Sequence, residues 1–181
     1  PTLFSLLDAC AGNMGSRLLR HWLHHPLRDR EVLGERHAAV ERLLENDAHA
    51  AMHGVLRRFA DIERIAGRVA LKNARPRDLS SLRDSLGLLP GLAAATPQGE
   101  GLLDQLRRDL EQPADCLDLL ARAILPEPST MVREGGVIAD GYSAELDELR
   151  ALQSNAGTFL VELEARERAR TGIPNLKVEY N

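Results

Sequence analysis

Aromatic residues are scarce in this chain of 181 residues, where three Phe, two Tyr and one Trp make up 3% of the sequence. Sandwiches and barrels draw on aromatic and β-branched side chains for their strands, so the composition disfavours both architectures. Leu and Ala are plentiful instead, and 44% of the residues are hydrophobic. A chain of this length and apolar content can bury a core, which excludes intrinsic disorder. The composition therefore predicts an all-α fold.

Long apolar runs, a signal peptide and an excess of positive charge are also missing. No segment reaches the roughly 18 uninterrupted apolar residues of a membrane-spanning helix. We therefore expect a cytoplasmic protein with no membrane partner. Lys and Arg number 23 against 27 Asp and Glu, so the net charge is -4 and any contact with nucleic acid has to be local. The two cysteines, Cys10 and Cys116, predict reduced thiols rather than a disulfide.

Hydrophobic periodicity predicts a multi-helical core over residues 1–142. Its helices are expected near residues 2–10, 13–25, 29–46, 48–59, 61–73, 78–89, 102–111 and 114–125. The cleanest apolar stripe belongs to the fifth of them and consists of Ile62, Ile65, Ala66, Val69 and Ala70. Asp78 is predicted to cap the sixth helix, and Pro90 with Gly91 to end it.

The period changes after residue 125. Residues 130–133 and 137–139 flank Glu134-Gly135-Gly136 and predict a short hairpin-like β segment. A long helix is then predicted over residues 143–171, with Ser143 as its N-terminal cap and Gly172 as its C-terminal cap. At 1.5 Å per residue it is roughly 40 Å long, more than a small domain is wide, so we expect it to protrude. Residues 176–180 alternate like a strand, and the abrupt ends of the chain suggest a piece of something longer.

Motifs for catalysis and for cofactor binding are incomplete. The spacing around Gly136 and Gly141 imitates a phosphate-binding loop, but Tyr142 stands where the motif needs Lys. His21, His24 and His25 share a helix face, as metal ligands would, without a fourth ligand at a matching spacing. No nucleophile has an adjacent base. We therefore assign no catalytic residue, no cofactor-binding residue and no metal ligand to this chain.

A cluster of arginines lies near the end of the long helix. Arg166, Arg168 and Arg170 alternate with acidic residues, and the pairs Glu162–Arg166 and Glu164–Arg168 both have the favourable i, i+4 order. Two interpretations stay open: a solvated tip whose charges pair with each other, or a tip that faces phosphate groups.

A second basic cluster surrounds Pro76 and comprises Lys72, Arg75 and Arg77. The cluster is either a solvated helix start or a docking surface for another domain, since Arg makes paired hydrogen bonds with carboxylates.

Ten short segments then occur in a distinctive order. They are residues 2–8, 14–19, 22–24, 26–29, 61–65, 74–79, 135–138, 141–143, 145–150 and 164–172. Together they resemble the core, or lever, domain of bacterial MutS DNA mismatch-repair proteins, and the resemblance covers nearly the whole chain.

The resemblance implies one module of a larger protein. MutS-like proteins are nucleoid-associated homodimeric clamps that bind mismatched duplex DNA, act with a MutL-type partner, and are switched by ATP and Mg at a separate domain. Residues 1–142 would form the helical core, residues 143–171 the lever helix and residues 172–181 the start of a truncated β-rich clamp. In that arrangement Arg166, Arg168, Arg170 and Lys177 would lie nearest DNA.

The chain departs from the full family by omission, since it contains neither the mismatch-reading Phe-x-Glu element nor an ATP-binding loop. The resemblance therefore implies a non-catalytic module, without a cofactor of its own, that couples the ATP state to the clamp. The alternative is a free-standing helical interaction or regulatory scaffold. A metal-dependent enzyme built on His21, His24 and His25 is a third hypothesis.

Overall fold

A computed structural model describes residues 2–177, apart from the side chains of Asn46, Ala156, Thr158 and Phe159. The described chain is mostly helical, which confirms the all-α class expected from the composition. It divides into two units: the first ends at Ile138 and the second begins at Ala139.

The first unit contains short and medium helices in close succession. They are α1 (Leu3–Leu7), α2 (Asn13–His24), α3 (Arg30–Leu44), α4 (Ala48–Leu56), α5 (Ile62–Ala70), α6 (Pro76–Gly87), α7 (Leu89–Ala95), α8 (Leu102–Asp109) and α9 (Ala114–Ala123). Two 3-10 turns, Glu45–Asp47 and Val132–Glu134, complete it. The second unit contains α10 (Ala144–Thr171).

Polar side chains start several of these helices. Thr2 and Ser5 form a capping box at α1, in which each side chain bonds the other residue's backbone N–H. Asp29 accepts from two backbone N–H groups at the start of α3. Ser143 caps α10, and Gly172 ends it in the left-handed conformation at φ 71°, where a side chain would be strained.

The largest buried cluster joins α6 to α9. Leu86 of α6 lies with Leu120, Ala123 and Ile124 of the α9 segment, and partly buried leucines of α6 surround them. Ser85, 1% exposed, accepts the Ala60 N–H at 3.0 Å and thereby ties the α4–α5 connection to α6. Leu79, Leu82 and Leu86 recur at helical spacing along α6, which puts them on one packed face.

The start of α6 differs from the prediction. The helix begins at Pro76, and Asp78 lies within its first turn, where it accepts the Arg75 N–H at 2.9 Å. Pro suits the first helical position because its missing N–H has no partner there, and an acidic third residue can bond back to the capping residue. Pro90 likewise lies in the first turn of α7 and does not end the preceding helix, which stops at Gly87.

The predicted hairpin-like segment is also arranged differently. Residues 131–134 enter a 3-10 turn, whereas Ile138 forms an isolated antiparallel bridge with Ile124 and Val137 accepts the Leu125 N–H at 3.0 Å. Gly135 and Gly136 both take positive φ angles, which turn the chain away from a simple two-strand return. Val137 and Ile138 then pack on the α6–α9 cluster, so burial selects the segment after α9 as their partner.

The apolar stripe of α5 is only partly used. Ile65 is buried, at 3% exposed, but Val69 is 44% exposed, and Ala66 and Ala70 are exposed as well. A regular stripe therefore marks a helix without guaranteeing that the whole face is covered.

The strand predicted over residues 176–180 lies largely outside the described residues, which end at Lys177. Leu176 and Lys177 belong to neither a helix nor a strand. Along the described part of the chain, no helix combines the length and the hydropathy needed to cross a bilayer.

Candidate functional site: two basic clusters

The first basic cluster lies on the turn between α5 and α6. Lys72, Arg75 and Arg77 are all exposed, and Lys72 takes the left-handed conformation at φ 55°. The Asn73 N–H donates to the Arg68 carbonyl at 2.9 Å, which closes the turn behind it. The structure thus places Lys72 and Arg75 on one surface turn and Arg77 in the first turn of α6, where it lines a different cavity from Arg75.

A bidentate ion pair fixes this turn. Arg68 donates from Nε and Nη2 to the two carboxylate oxygens of Asp78 at 2.7 and 2.6 Å. The Arg68 hydrogen bonds lower the pKa of Asp78, against a smaller opposing effect of burial. Asp78 therefore stays ionised and is occupied by Arg68 and by the Arg75 N–H.

The three exposed cations have no ion-pair partner among the described residues, although Arg75 lies near enough to Asp78 to help lower its pKa. Within residues 2–177, Lys72, Arg75 and Arg77 form no ion pair, because the nearest acid in sequence, Asp78, is engaged by Arg68. Sequence reasoning missed Arg68 as the partner of Asp78. The i, i+10 separation falls outside helical pair rules, so only the packing of α5 beside α6 reveals it.

An apolar groove adjoins the basic turn. Ala74, Arg75 and Pro76 form one wall, and Thr130, Met131 and Val132 form the other, around a cavity of about 230 Å³. Sequence reasoning missed this groove because its two walls are more than fifty positions apart in the chain.

The second basic cluster lies at the end of α10, in the second unit. Arg168 pairs with Glu164, as the i, i+4 spacing predicted, and also donates from Nε to the Leu176 carbonyl at 3.0 Å. Arg170 pairs with Glu167 at 2.8 Å. Two of the four predicted DNA-proximal residues are therefore occupied by neighbouring acids.

The other two cations of this cluster are available. Arg166 and Lys177 are exposed, and neither forms an ion pair with any residue that the structure describes. The Glu162–Arg166 pair predicted from the i, i+4 spacing was therefore wrong, because this spacing permits an ion pair without requiring two exposed side chains to form it. A guanidinium or ammonium group without an ion-pair partner can bond a phosphate without first breaking an internal pair. Arg168 and Arg170 are thus engaged by acids of the same helix, whereas Arg166 and Lys177 are not.

The histidine cluster on α2 has a local arrangement. The rings of His21 and His25 stack with centroids 4.5 Å apart, and His25 Nδ1 lies 3.1 Å from the His21 carbonyl oxygen. Among the described residues, no group of three or more His, Cys, Asp or Glu side chains could hold a metal ion. Cys10 and Cys116 carry free, exposed thiols.

A comparison with models of protein families shows which family this chain belongs to. The model of MutS domain III matches residues 1–171, which cover the first unit, the second unit up to the end of α10, and both basic clusters except Lys177. Domain III is a non-catalytic core domain of MutS proteins. The match covers far more than half of the sequence, and the resemblance seen in its short motifs is thereby confirmed. The chain belongs to the MutS domain III family and is a module of a MutS-type mismatch-repair protein.

Proposed function

We propose that this domain transmits ATP-dependent movement to the part of a MutS protein that grips DNA. In this proposal α1–α9 form the helical core, α10 is the lever, and the segment after Gly172 begins a β-rich clamp. Because an α-helix moves as a unit when its packed elements shift, it can carry displacement over its length. The match of residues 1–171 to MutS domain III is the observation that carries this function.

The uninterrupted length of α10 supports a lever. Its 28 residues contain no Pro, begin at a serine cap and end at a left-handed glycine. At a rise of 1.5 Å per residue the helix is about 42 Å long. Ion pairs at i, i+3 and i, i+4, including Arg168–Glu164 and Arg170–Glu167, stabilise its last turns.

The partners and cofactors of the domain follow from the same proposal. A full-length protein would bind mismatched duplex DNA, work as a homodimer with a MutL-type partner, and use ATP with Mg at another domain. It would act in the cytoplasm at the nucleoid. Within the present chain, Arg166 and Lys177 would contribute phosphate contacts, which supply affinity rather than mismatch recognition.

Breaking the lever tests the coupling. In a full-length MutS protein that carries this domain, Leu152→Pro should destabilise α10 by about 3 kcal/mol or more, because Pro removes a backbone hydrogen bond and clashes with the preceding turn. ATP-triggered release from a mismatched duplex, followed by fluorescence anisotropy, should then be lost while ATP hydrolysis continues.

Two matched variants interpret the result. Leu152→Ala keeps the helix and removes a side chain that is 67% exposed, so it should release DNA normally. Arg166→Gln should weaken DNA binding, with a smaller salt dependence, and leave the ATP response intact. Normal ATP-triggered release by Leu152→Pro would contradict the coupling function and favour a helical scaffold.

A further inference from the structure

The groove beside the basic turn has an unusual lining for a protein surface. Val132 is 72% exposed and Met131 is 46% exposed, although both are apolar. They face Ala74 and the buried Pro76 across the groove. The cavity of about 230 Å³ lies below the roughly 300–1,000 Å³ typical of small-molecule pockets, so it suits a side chain better than a cofactor.

Hydrogen bonds hold the loop that carries Met131 and Val132. Ser129 donates its N–H to the Gly136 carbonyl at 3.1 Å and its hydroxyl to the Met131 carbonyl at 3.0 Å. The Gly135 N–H donates to the Val132 carbonyl at 3.1 Å. The loop therefore presents its apolar side chains from a closed backbone turn.

An ion pair and a hydrogen bond hold the opposite wall of the groove, which Ala74, Arg75 and Pro76 form. The Arg68–Asp78 ion pair and the bond from the Arg75 N–H to Asp78 fix the start of α6. A groove with two fixed walls binds a partner at a lower entropic cost, because little of its own chain has to be ordered.

Positive charge lies at and beside the groove: Arg75 lines it, and Lys72, Arg77 and Arg133 lie within two residues of its lining in sequence. Lys72, Arg75, Arg77 and Arg133 are exposed, and none of them forms an ion pair in the described part of the chain. Residues 72–77 carry three positive charges and no acidic residue, and Glu134 is the one carboxylate in residues 129–136. This excess stands out in a chain whose net charge is -4.

We propose that this groove docks an acidic protein segment that inserts one apolar side chain between Pro76 and Val132. Asp or Glu residues of that segment would pair with Lys72, Arg75 and Arg77, since Arg forms paired hydrogen bonds with carboxylates. An apolar anchor surrounded by charge matches the anatomy of protein interfaces. Nucleic acid fits less well, because the lining offers no aromatic ring on which a base could stack.

Selection from a library of random peptides displayed on phage tests the docking, with the immobilised 181-residue chain as bait. Enriched peptides should share Asp or Glu on both sides of a Leu, Met or Phe. Their affinities are then measured with fluorescent synthetic copies. Replacing the apolar residue by Gly, or the acids by Ser, should weaken binding by about tenfold or more, the loss expected for a central anchor or a close ion pair.

Variants of the chain locate the binding site. Arg75→Ser with Arg77→Ser, and separately Val132→Ser, should weaken the selected peptides by a similar factor, with helix content checked by circular dichroism. Arg57→Ser with Arg58→Ser removes the same charge from an exposed pair that does not line the groove and should leave binding unchanged.

Three outcomes would overturn the proposal. They are the absence of any enriched peptide, enrichment without acids, and unchanged binding by the groove variants. Tighter binding of a duplex DNA, weakened by the same variants, would also overturn it and make the groove a nucleic-acid surface. Each outcome is independent of the coupling function, because the measurement needs neither ATP nor the movement of α10.

Discussion

The first four helices and the five that follow them use apolar side chains in different ways. Among the described side chains of α1–α4 none is buried, and Leu6 and Leu44 are 81% and 64% exposed. The buried residues of the first unit all lie in α5–α9 and the segment that follows them. Both regions are built from amphipathic helices, so helical patterning alone does not decide which region holds the core.

Polar contacts compensate for the missing core in the first region. Arg17 of α2 donates to both oxygens of Asp61 at 2.6 and 2.7 Å and also reaches Glu63. Arg42 of α3 donates to the Gln98 carbonyl, and α4 packs against α7. The first region is therefore attached to the second by specific side-chain bonds together with the packing of α4 on α7 and of α3 on α8.

Deleting a core side chain should have the largest effect. Leu120→Ala removes apolar contacts inside the α6–α9 cluster and should lower the free energy of unfolding by about 2 to 5 kcal/mol. Leu44→Ala in the first region should change it by about 0.5 kcal/mol or less, because that side chain is mostly in water. Urea unfolding, with the m-value checked, measures both.

A neighbour on the same helix provides the control for Leu120. Leu119 precedes it on α9 and is 47% exposed, so Leu119→Ala should lie close to the wild type. If Leu44→Ala and Leu120→Ala lowered the free energy of unfolding equally, the first region would have a core of its own, and the contrast between α1–α4 and α5–α9 would be wrong.

Removing the Ser85 hydroxyl should have an intermediate effect. Ser85→Ala leaves the Ala60 N–H without its acceptor beside a position that is 1% exposed, and an unsatisfied buried donor costs about 1 to 3 kcal/mol. The exchange rate of the Ala60 amide proton should rise with the loss of stability. Ser154→Ala, at an exposed position of α10, serves as the matched control, and an equal effect there would contradict the role of burial.

The smallest effect is expected from protonating Asp61, the carboxylate through which Arg17 links α2 to the start of α5. The hydrogen bonds from Arg17 hold the pKa of Asp61 at about 2, below its usual 3.8. Because the folded pKa is the lower one, the stabilisation is fully present above pH 3.8 and is lost as pH falls towards 2. Stability should therefore fall over this window more steeply in the wild type than in Asp61→Asn.

A second variant assigns that pH dependence to the ion pair. In an Arg17→Gln background the Asp61→Asn substitution should change the acid limb of the stability curve much less. If Asp61→Asn changed the acid limb equally with and without Arg17, the lowered pKa would have another cause, such as the hydrogen bond that Asp61 accepts from the Arg64 N–H.

Local patterns were informative where an element depends on its own residues. The capping of α1 by Thr2 and of α3 by Asp29, and the pairing of Glu164 with Arg168, follow from neighbours within four positions. The prediction that Asp78 caps a helix and the prediction that Pro90 ends one were wrong, because Pro occupies the first turn of both α6 and α7 and a helix start can shift by one turn in that case. The hairpin differed because Val137 and Ile138 bury against α9 rather than pair with the preceding residues.

The candidate sites also combine features that the local sequence shows with features that depend on the fold. Lys72, Arg75 and Arg77 were visible as a cluster because they are adjacent in sequence, and so was the arginine tip of α10. Their availability was not visible, since it depends on whether acids such as Asp78 and Glu167 are occupied elsewhere. The groove formed with Met131 and Val132 requires residues that only folding brings together.

The amino-acid sequence by itself determined the helical class, several helix caps, the two basic clusters and the family. Each of these depends on composition, on short-range spacing or on the order of motifs. The tertiary structure decided which apolar faces are buried, which ion pairs form across helices and where an exposed groove opens. Those features are set by contacts between distant segments, and the free energy of such contacts does not appear in any local window of the chain.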